Sequence, residues 1–223
     1  MIGRTEIPGE QEVRIPMDKG VHGGTLALAP ASAGIVLFAH GSGSSRFSAR
    51  NRFVAEALRG NGVATLLFDL LTETEDRIYE NRFDIDLLTR RLLQATQWAR
   101  REPRLTGLAV GYFGASTGAA AALKAAAALG EEIAAVVSRG GRPDLAAAEL
   151  GRVRAPTLLI VGGDDDLVIQ LNRSAYEQLA CAKELAIVPG AGHLFEEPGT
   201  LEEVARLASG WFRRYLVERR VTA

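Results

Sequence analysis

The chain has a single cysteine, Cys181, among 223 residues. One thiol excludes an internal disulfide and fits a reducing compartment, so a cytoplasmic location is expected. An excess of charge of either sign is also missing, since the net charge is −1. That speaks against a nucleic-acid partner and against an anionic membrane surface. No apolar run approaches the length that crosses a membrane. The stretch from Met1 to Gly20 is polar and holds no apolar segment of signal-peptide length. Repeats and low-complexity linkers are lacking. The alanine-rich run from Ala119 to Leu129 reads as a close-packed helix rather than a biased segment.

A chain of this length buries one sizeable core, and residues 1–223 read as one α/β domain. Val13, Ile15 and Met17 alternate with Glu12, Arg14 and Pro16, which predicts a half-exposed edge strand. Thr25 to Ala29 is its expected partner, joined through the glycine-rich run from Gly20 to Gly24. Short continuous apolar runs then take over, at Ile35–Ala39, Ala64–Phe68, Leu108–Phe113, Ala134–Val137, Leu158–Val161 and Leu185–Val188. Strands of that kind are buried on both faces, as in parallel sheets. Helical stripes lie between them. Ile85, Leu88, Leu92, Ala95 and Ala99 form one, with Arg90, Arg91, Arg100 and Arg101 largely away from it. Leu201, Val204, Ala208, Trp211 and Tyr215 form another, with Thr200 and Glu203 as a plausible capping box. The alternation predicts a mostly parallel sheet of about eight strands with helices on both faces. Strand C-terminal ends then share the edge where ligands bind in such sheets.

Three features that carry chemistry fall at that edge. Gly114-Ala115-Ser116-Thr117-Gly118 lies between an apolar strand and the alanine-rich helix, the setting of a G-x-S-x-G turn that projects a serine hydroxyl above a sheet. Leu158 to Val161 runs into an acidic turn, Asp164-Asp165-Asp166. Ile187-Val188 runs into a glycine-rich loop with His193 at its tip. The chain has three histidines, and His193 is the one that follows Ser116. A neutral imidazole accepts the serine proton, and a carboxylate holds the ring's other N–H. The competing reading makes the aspartates a solvated turn and His193 a surface residue.

These motifs, with His40-Gly41-Ser42-Gly43 after the first parallel strand, resemble the α/β-hydrolases, most closely the dienelactone hydrolase-like group, over nearly the whole chain. The resemblance implies the α/β-hydrolase fold. It matches Gly162-x-x-Asp165-x-x-Val168 to the family's acid position and so selects Asp165, with Asp164 or Asp166 as substitutes if the register slips by one. Dienelactone hydrolases proper carry a cysteine at the elbow where this chain has Ser116. Cys181, in a stretch read as helical from Tyr176 to Ala182, is expected to be a small buried residue.

Acyl transfer builds negative charge on the substrate oxygen, and fixed N–H groups must meet it. Thr117 N–H, next after the nucleophile, is one expected donor. By resemblance Ser42 N–H is the other, with Gly41 as alternative. His40 reads as a loop-orienting histidine. The stretch from Ser138 to Leu145 leaves no room for an inserted cap domain, and Thr72 to Arg82 is too short and acidic for a lipase lid. An open site suits small esters or lactones. Arg139, Arg142 and Arg46 lie at the same edge, where one of them can grip a substrate carboxylate. The competing reading pairs them with nearby acids such as Asp144. The expected activity is hydrolysis of a small carboxylic ester or lactone through an acyl-enzyme on Ser116, with no metal or organic cofactor. An acyltransferase, a peptidase or a non-catalytic binding protein on the same fold are the alternatives.

Overall fold

The computed structural model describes residues 9–30 and 32–218. The part of the polar N-terminal stretch before Gly9 lies outside the described residues. Eight strands form one sheet in the order β1-β2-β4-β3-β5-β6-β7-β8. They are β1 (Glu10–Met17), β2 (Gly20–Ala27), β3 (Gly34–Ala39), β4 (Val63–Phe68), β5 (Ala109–Ala115), β6 (Ile133–Arg139), β7 (Thr157–Gly162) and β8 (Lys183–Val188). β1 and β2 are antiparallel to their neighbours. The other pairings are parallel. The sheet is therefore the mostly parallel one that the apolar runs predicted.

At the antiparallel edge, Val13 and Ile15 are buried while Glu12 and Arg14 face solvent, as their alternation requires. The glycine-rich run behaves differently from expectation. Gly20 to Gly24 is strand, paired with Met17 through Val13, and the turn is Asp18-Lys19. A Cβ on Gly23 would stand 1.8 Å from Arg46 Nη1. The glycine thus leaves the space that the Arg46 guanidinium fills.

The helices are α1 (Ala49–Gly60), a single turn α2 (Glu73–Asp76), α3 (Ile85–Arg101), α4 (Thr117–Leu129), α5 (Asp166–Gln178) and α6 (Thr200–Phe212). Val54, Ala55 and Leu58 of α1 share a core with Val204, Ala208, Trp211 and Phe212 of α6 on one face of the sheet. The α3 stripe, the alanines of α4 and Ala175 of α5 fill the other. Alanine at nearly every position lets α4 approach both the sheet and its helical neighbours closely, at the cost of little side-chain entropy. The connection from β6 to β7 holds a short helical segment, Pro143–Arg152, buried through Ala146 and Leu150. No separate cap domain is formed there.

Three local expectations are corrected. Arg91 is fully buried within α3, where it pairs with Asp18 and, at 2.5 Å, with Glu75. Its head reaches two acids outside the helix, 73 and 16 positions away in sequence. The start of α6 has no capping box. Gly199 is the cap residue at φ 83°, Thr200 Oγ1 donates to the Glu197 carbonyl at 2.7 Å, and the Glu203 carboxylate turns to Arg206 at 2.6 Å. Helix α5 ends at Gln178, so Cys181 lies in the turn before β8, half-buried, with its thiol pushed up by that burial.

Candidate active site

Ser116 links β5 to α4 at φ 51° and ψ −120°. A side chain at positive φ in this region costs on the order of 1–3 kcal/mol, so the surroundings must hold it. They do so through the backbone. Ser116 N–H donates to the Arg139 carbonyl at 3.2 Å, and the Ser116 carbonyl accepts from Ala119 N–H at 3.0 Å and Arg142 N–H at 3.1 Å. The motif glycines have steric causes. A Cβ on Gly114 would meet Ala119 Cα at 2.4 Å, and one on Gly118 would meet the Ala39 carbonyl oxygen at 2.1 Å. Both separations are below any real contact, so the close approach of β5, α4 and the end of β3 admits only glycine.

His193 Nδ1 lies 2.7 Å from Asp165 Oδ2. The carboxylate accepts, so Nδ1 carries the hydrogen, and in a neutral ring that leaves the lone pair on Nε2. The Asp165 side chain is 16 % exposed and that of His193 is 40 % exposed, leaving the ring open to a ligand. Asp164 and Asp166 point into solvent. Asp164 N–H instead donates to the Ala191 carbonyl at 2.9 Å. The two loops are fused at Gly162, where a Cβ would stand 2.4 Å from the Ala191 carbonyl oxygen. Glu197 adds a strut, its Oε2 accepting from Gly192 N–H at 3.0 Å. Ser116 and His193 flank one backbone segment. Arg139 is bonded to Ser116, and a Cβ on the next residue, Gly140, would stand 3.6 Å from His193 Cε1.

The loop after β3 reaches Ser116 from the other side. A Cβ on Gly41 would stand 3.2 Å from Ser116 Cβ. Ser44 N–H closes a turn onto the Gly41 carbonyl at 3.2 Å, with Gly43 at φ 67°. Ser42 is the second residue of that turn, so its N–H is not used by the turn itself. Thr117 N–H opens α4 and has no intrahelical acceptor. His40 is buried beneath the loop. Leu70 N–H donates to its Nε2 at 3.1 Å, and its Nδ1 bonds the Gly41 carbonyl at 3.0 Å. Burial holds its pKa below the ordinary 6.5. With both ring nitrogens engaged, His40 pins the Gly41 loop and offers no lone pair to a serine.

A serine on a strained elbow, an imidazole bonded to an acid and two backbone N–H groups without an acceptor among the described residues thus share one sheet edge. A family model for the dienelactone hydrolase family matches residues 51–215. The chain belongs to the dienelactone hydrolase family. The solved structure of a dienelactone hydrolase from Anabaena variabilis is 56% identical, covers 93% of this chain and 99% of its own, and superposes with a TM-score of 0.90. A serine hydrolase without a lid from Xanthomonas campestris shares the fold at 21% identity and a TM-score of 0.75, covering 96% of this chain and 99% of its own. Two curated Mycobacterium tuberculosis proteins, described as "Putative phosphoribosyl transferase", are 56% identical over 207 residues. That match covers 93% of this chain and 47% of theirs, so the chain spans about half the length of the curated relatives it matches.

In this dienelactone hydrolase-family chain the three candidate arginines differ in their partners. Arg46 bonds Asp69 at 2.6 Å and Glu12 at 3.0 Å. Arg142 grips Asp144 through Nε at 2.8 Å and Nη2 at 2.7 Å, which raises its pKa. Both forks are thus occupied by protein carboxylates. Arg139 is 7 % exposed and forms no ion pair among the described residues. Its Nη2 reaches Asn51 Oδ1 at 3.5 Å, the long limit of a hydrogen bond, and its Nε is buried with no acceptor. Burial first, and repulsion from Arg50 second, pull its pKa down to about 10. Sequence reading passed over Arg50 and Asn51, because their approach to Arg139 crosses 88 positions from Asn51 and follows no local pattern. Among the described residues, no three His, Cys, Asp or Glu side chains come together to hold a metal ion.

Proposed function

We propose that this family member is a serine hydrolase of small carboxylic esters or lactones, acting as a single domain in the cytoplasm. Ser116 Oγ attacks the carbonyl carbon while His193 Nε2 takes its proton. The Asp165 carboxylate orients the ring and offsets the imidazolium charge. Thr117 N–H and Ser42 N–H meet the oxyanion, with Gly41 N–H as the alternative second donor. The imidazolium returns the proton to the leaving alkoxide as the ester C–O bond breaks. A water activated by His193 then cleaves the acyl-serine bond. These groups need no metal or organic cofactor for any step.

The observation that carries the reading is the 2.7 Å His193–Asp165 bond on the sheet edge that also holds Ser116 at positive φ. A mere ligand receptor has no use for a strained serine, whereas a nucleophile does. The name of the longer relatives favours a second reading, phosphoribosyl transfer. An activated serine has no role in that reaction, and the name belongs to proteins of which this chain matches 47%. The test is turnover of an aryl acetate by the wild type and by Ser116→Ala, alongside an assay for phosphoribosyl transfer. Ester turnover lost with Ser116 supports the hydrolase. Transferase activity with no esterase activity contradicts it.

A further inference from the structure

Helix α5 buries one stripe, made of Val168, Ile169, Asn172 and Ala175. A polar side chain in that stripe runs against folding logic. Asparagine is a poor helix former, and burial strips its amide of water. Asn172 is fully buried, and its Oδ1 has no partner among the described residues. A leucine would satisfy the apolar pattern without an orphaned carbonyl. The side-chain nitrogen shows what the asparagine does. Nδ2 donates to the Val168 carbonyl at 2.8 Å, one turn back in its own helix, and to the Gly141 carbonyl at 3.0 Å, 31 positions away. Both partners are acceptors, so one orientation of the amide fits.

Gly141 belongs to a segment on which the serine elbow rests. Ser116 N–H donates to the Arg139 carbonyl, and Arg142 N–H donates to the Ser116 carbonyl. The same segment touches the histidine loop, since a Cβ on Gly140 would stand 3.1 Å from the His193 carbonyl oxygen. Gly140 and Gly141 carry no side chain to anchor it. A Cβ on Gly141 would stand 2.0 Å from Ser138 Oγ and 2.7 Å from Ala119 Cβ, so the packing leaves no room for one. Among the described residues, Asn172 supplies the one side-chain hydrogen bond to the backbone of residues 139–142. Asp165 opens the same helix, and its carbonyl accepts from Ile169 N–H at 2.9 Å. Two helical turns separate Asp165 from Asn172, so the two share a face. One rigid element therefore carries both the carboxylate that meets His193 and the amide that holds the Ser116 segment.

We propose that Asn172 is a positioning residue for the nucleophile: through the Gly141 carbonyl it fixes the 139–142 segment, and so the placement of Ser116 Oγ against the His193 ring. The inference rests on the hydrolase reading and adds to it a residue that touches no substrate. Its effect falls on the chemical step. A nucleophile misplaced by about an ångström loses up to about 100-fold in rate. Ground-state binding, in which Asn172 takes no part, is left alone.

Asn172→Leu, Asn172→Ser and Ala175→Gly test it on an aryl acetate. Leucine removes both hydrogen bonds. Serine keeps a bond to the carbonyl one turn back but is too short to reach Gly141. Ala175→Gly loosens the same stripe and leaves the Gly141 bond in place. In both Asn172 variants kcat should fall by about 10- to 100-fold with KM within about threefold. The rate constant for fluorophosphonate labelling of Ser116 should fall in step, while labelling still runs to completion. Complete labelling separates a misplaced serine from a smaller folded fraction. Ala175→Gly should lower the urea midpoint and keep kcat within about threefold. Asn172→Ser carries the test if Asn172→Leu does not fold. An unchanged kcat, a change confined to KM, or an equal fall in Ala175→Gly overturns the inference. If the wild type neither cleaves the ester nor takes the label, the hydrolase reading fails instead, and amide hydrogen exchange reads the brace without turnover. Faster exchange at Ser116 and Arg142 in the Asn172 variants than in Ala175→Gly then supports the brace, and equal exchange overturns it.

Discussion

Each of the three aspartates after β7 is an equally good acid by composition, and geometry separates them. Only Asp165 meets the imidazole, at 2.7 Å. Asp165→Asn should lower kcat by about three orders of magnitude or more, because an amide favours the wrong histidine tautomer. Asp164→Asn and Asp166→Asn should stay within about threefold, since surface carboxylates act weakly at a distance. Steady-state kinetics on an aryl acetate checks all three. His40 carries a different signature. Its folded pKa lies below the ordinary 6.5 because it is buried. The unfolded chain therefore binds a proton on this ring as pH falls through that value, while the folded chain resists. Stability is full above that range and declines as pH falls below it, until the folded pKa is reached. Urea unfolding between pH 7.5 and about 5.5 should show that decline, and His40→Gln should flatten it. A residue such as His193 was legible in the sequence because it ends an apolar run in a glycine-rich loop. The burial of Arg139 without an ion pair among the described residues was not, since it depends on which carboxylates fail to arrive.

At the scale of elements, the inner parallel strands β3 to β7 were readable because burial on both faces leaves few polar positions in their runs, whereas β8, read the same way, is a half-exposed edge strand with Ile187 at the surface. The elbow was readable for a related reason: its glycines mark contacts that no Cβ survives. Gly118→Ala should destabilise the fold by about 3 kcal/mol or more, since the nearest neighbour is immobile backbone. Gly60→Ala is the opposite case. Its Cβ would meet nothing within 4 Å, so a stabilisation of about 0.5–1 kcal/mol is expected from helix propensity alone. Chemical denaturation of the pair reads both signs. The run from Gly20 to Gly24 misled because Gly23 leaves room for a long-range neighbour, Arg46, and Gly24 for Val13, Ile15 and Leu66, rather than marking a turn. The start of α6 misled because Glu203 found a stronger partner in Arg206 than in a cap. The first competing contact is long-range; the second is a local (i, i+3) pair along the helix that outcompetes the cap.

At the scale of the molecule, the short β6–β7 connection leaves the active edge uncovered. Phe47, Tyr79, Phe83 and Leu194, in connections that follow parallel strands, and Leu167, in the first turn of α5, are exposed. They give a shallow apolar rim rather than an enclosing wall. Each methylene adds about 0.8 kcal/mol only where protein surrounds it. Across p-nitrophenyl esters from acetate to laurate, kcat/KM should therefore level off after a few carbons; a climb through octanoate would mean a deep acyl channel. Among the described residues, no helix is long and apolar enough to cross a membrane. The central claim is that one serine is activated by one histidine. Fluorophosphonate labelling followed by peptide mass mapping tests it most directly. The account predicts one adduct, on Ser116, that vanishes in Ser116→Ala and forms far more slowly in His193→Ala. An adduct that persists without Ser116, or that forms at the same rate without His193, would contradict it.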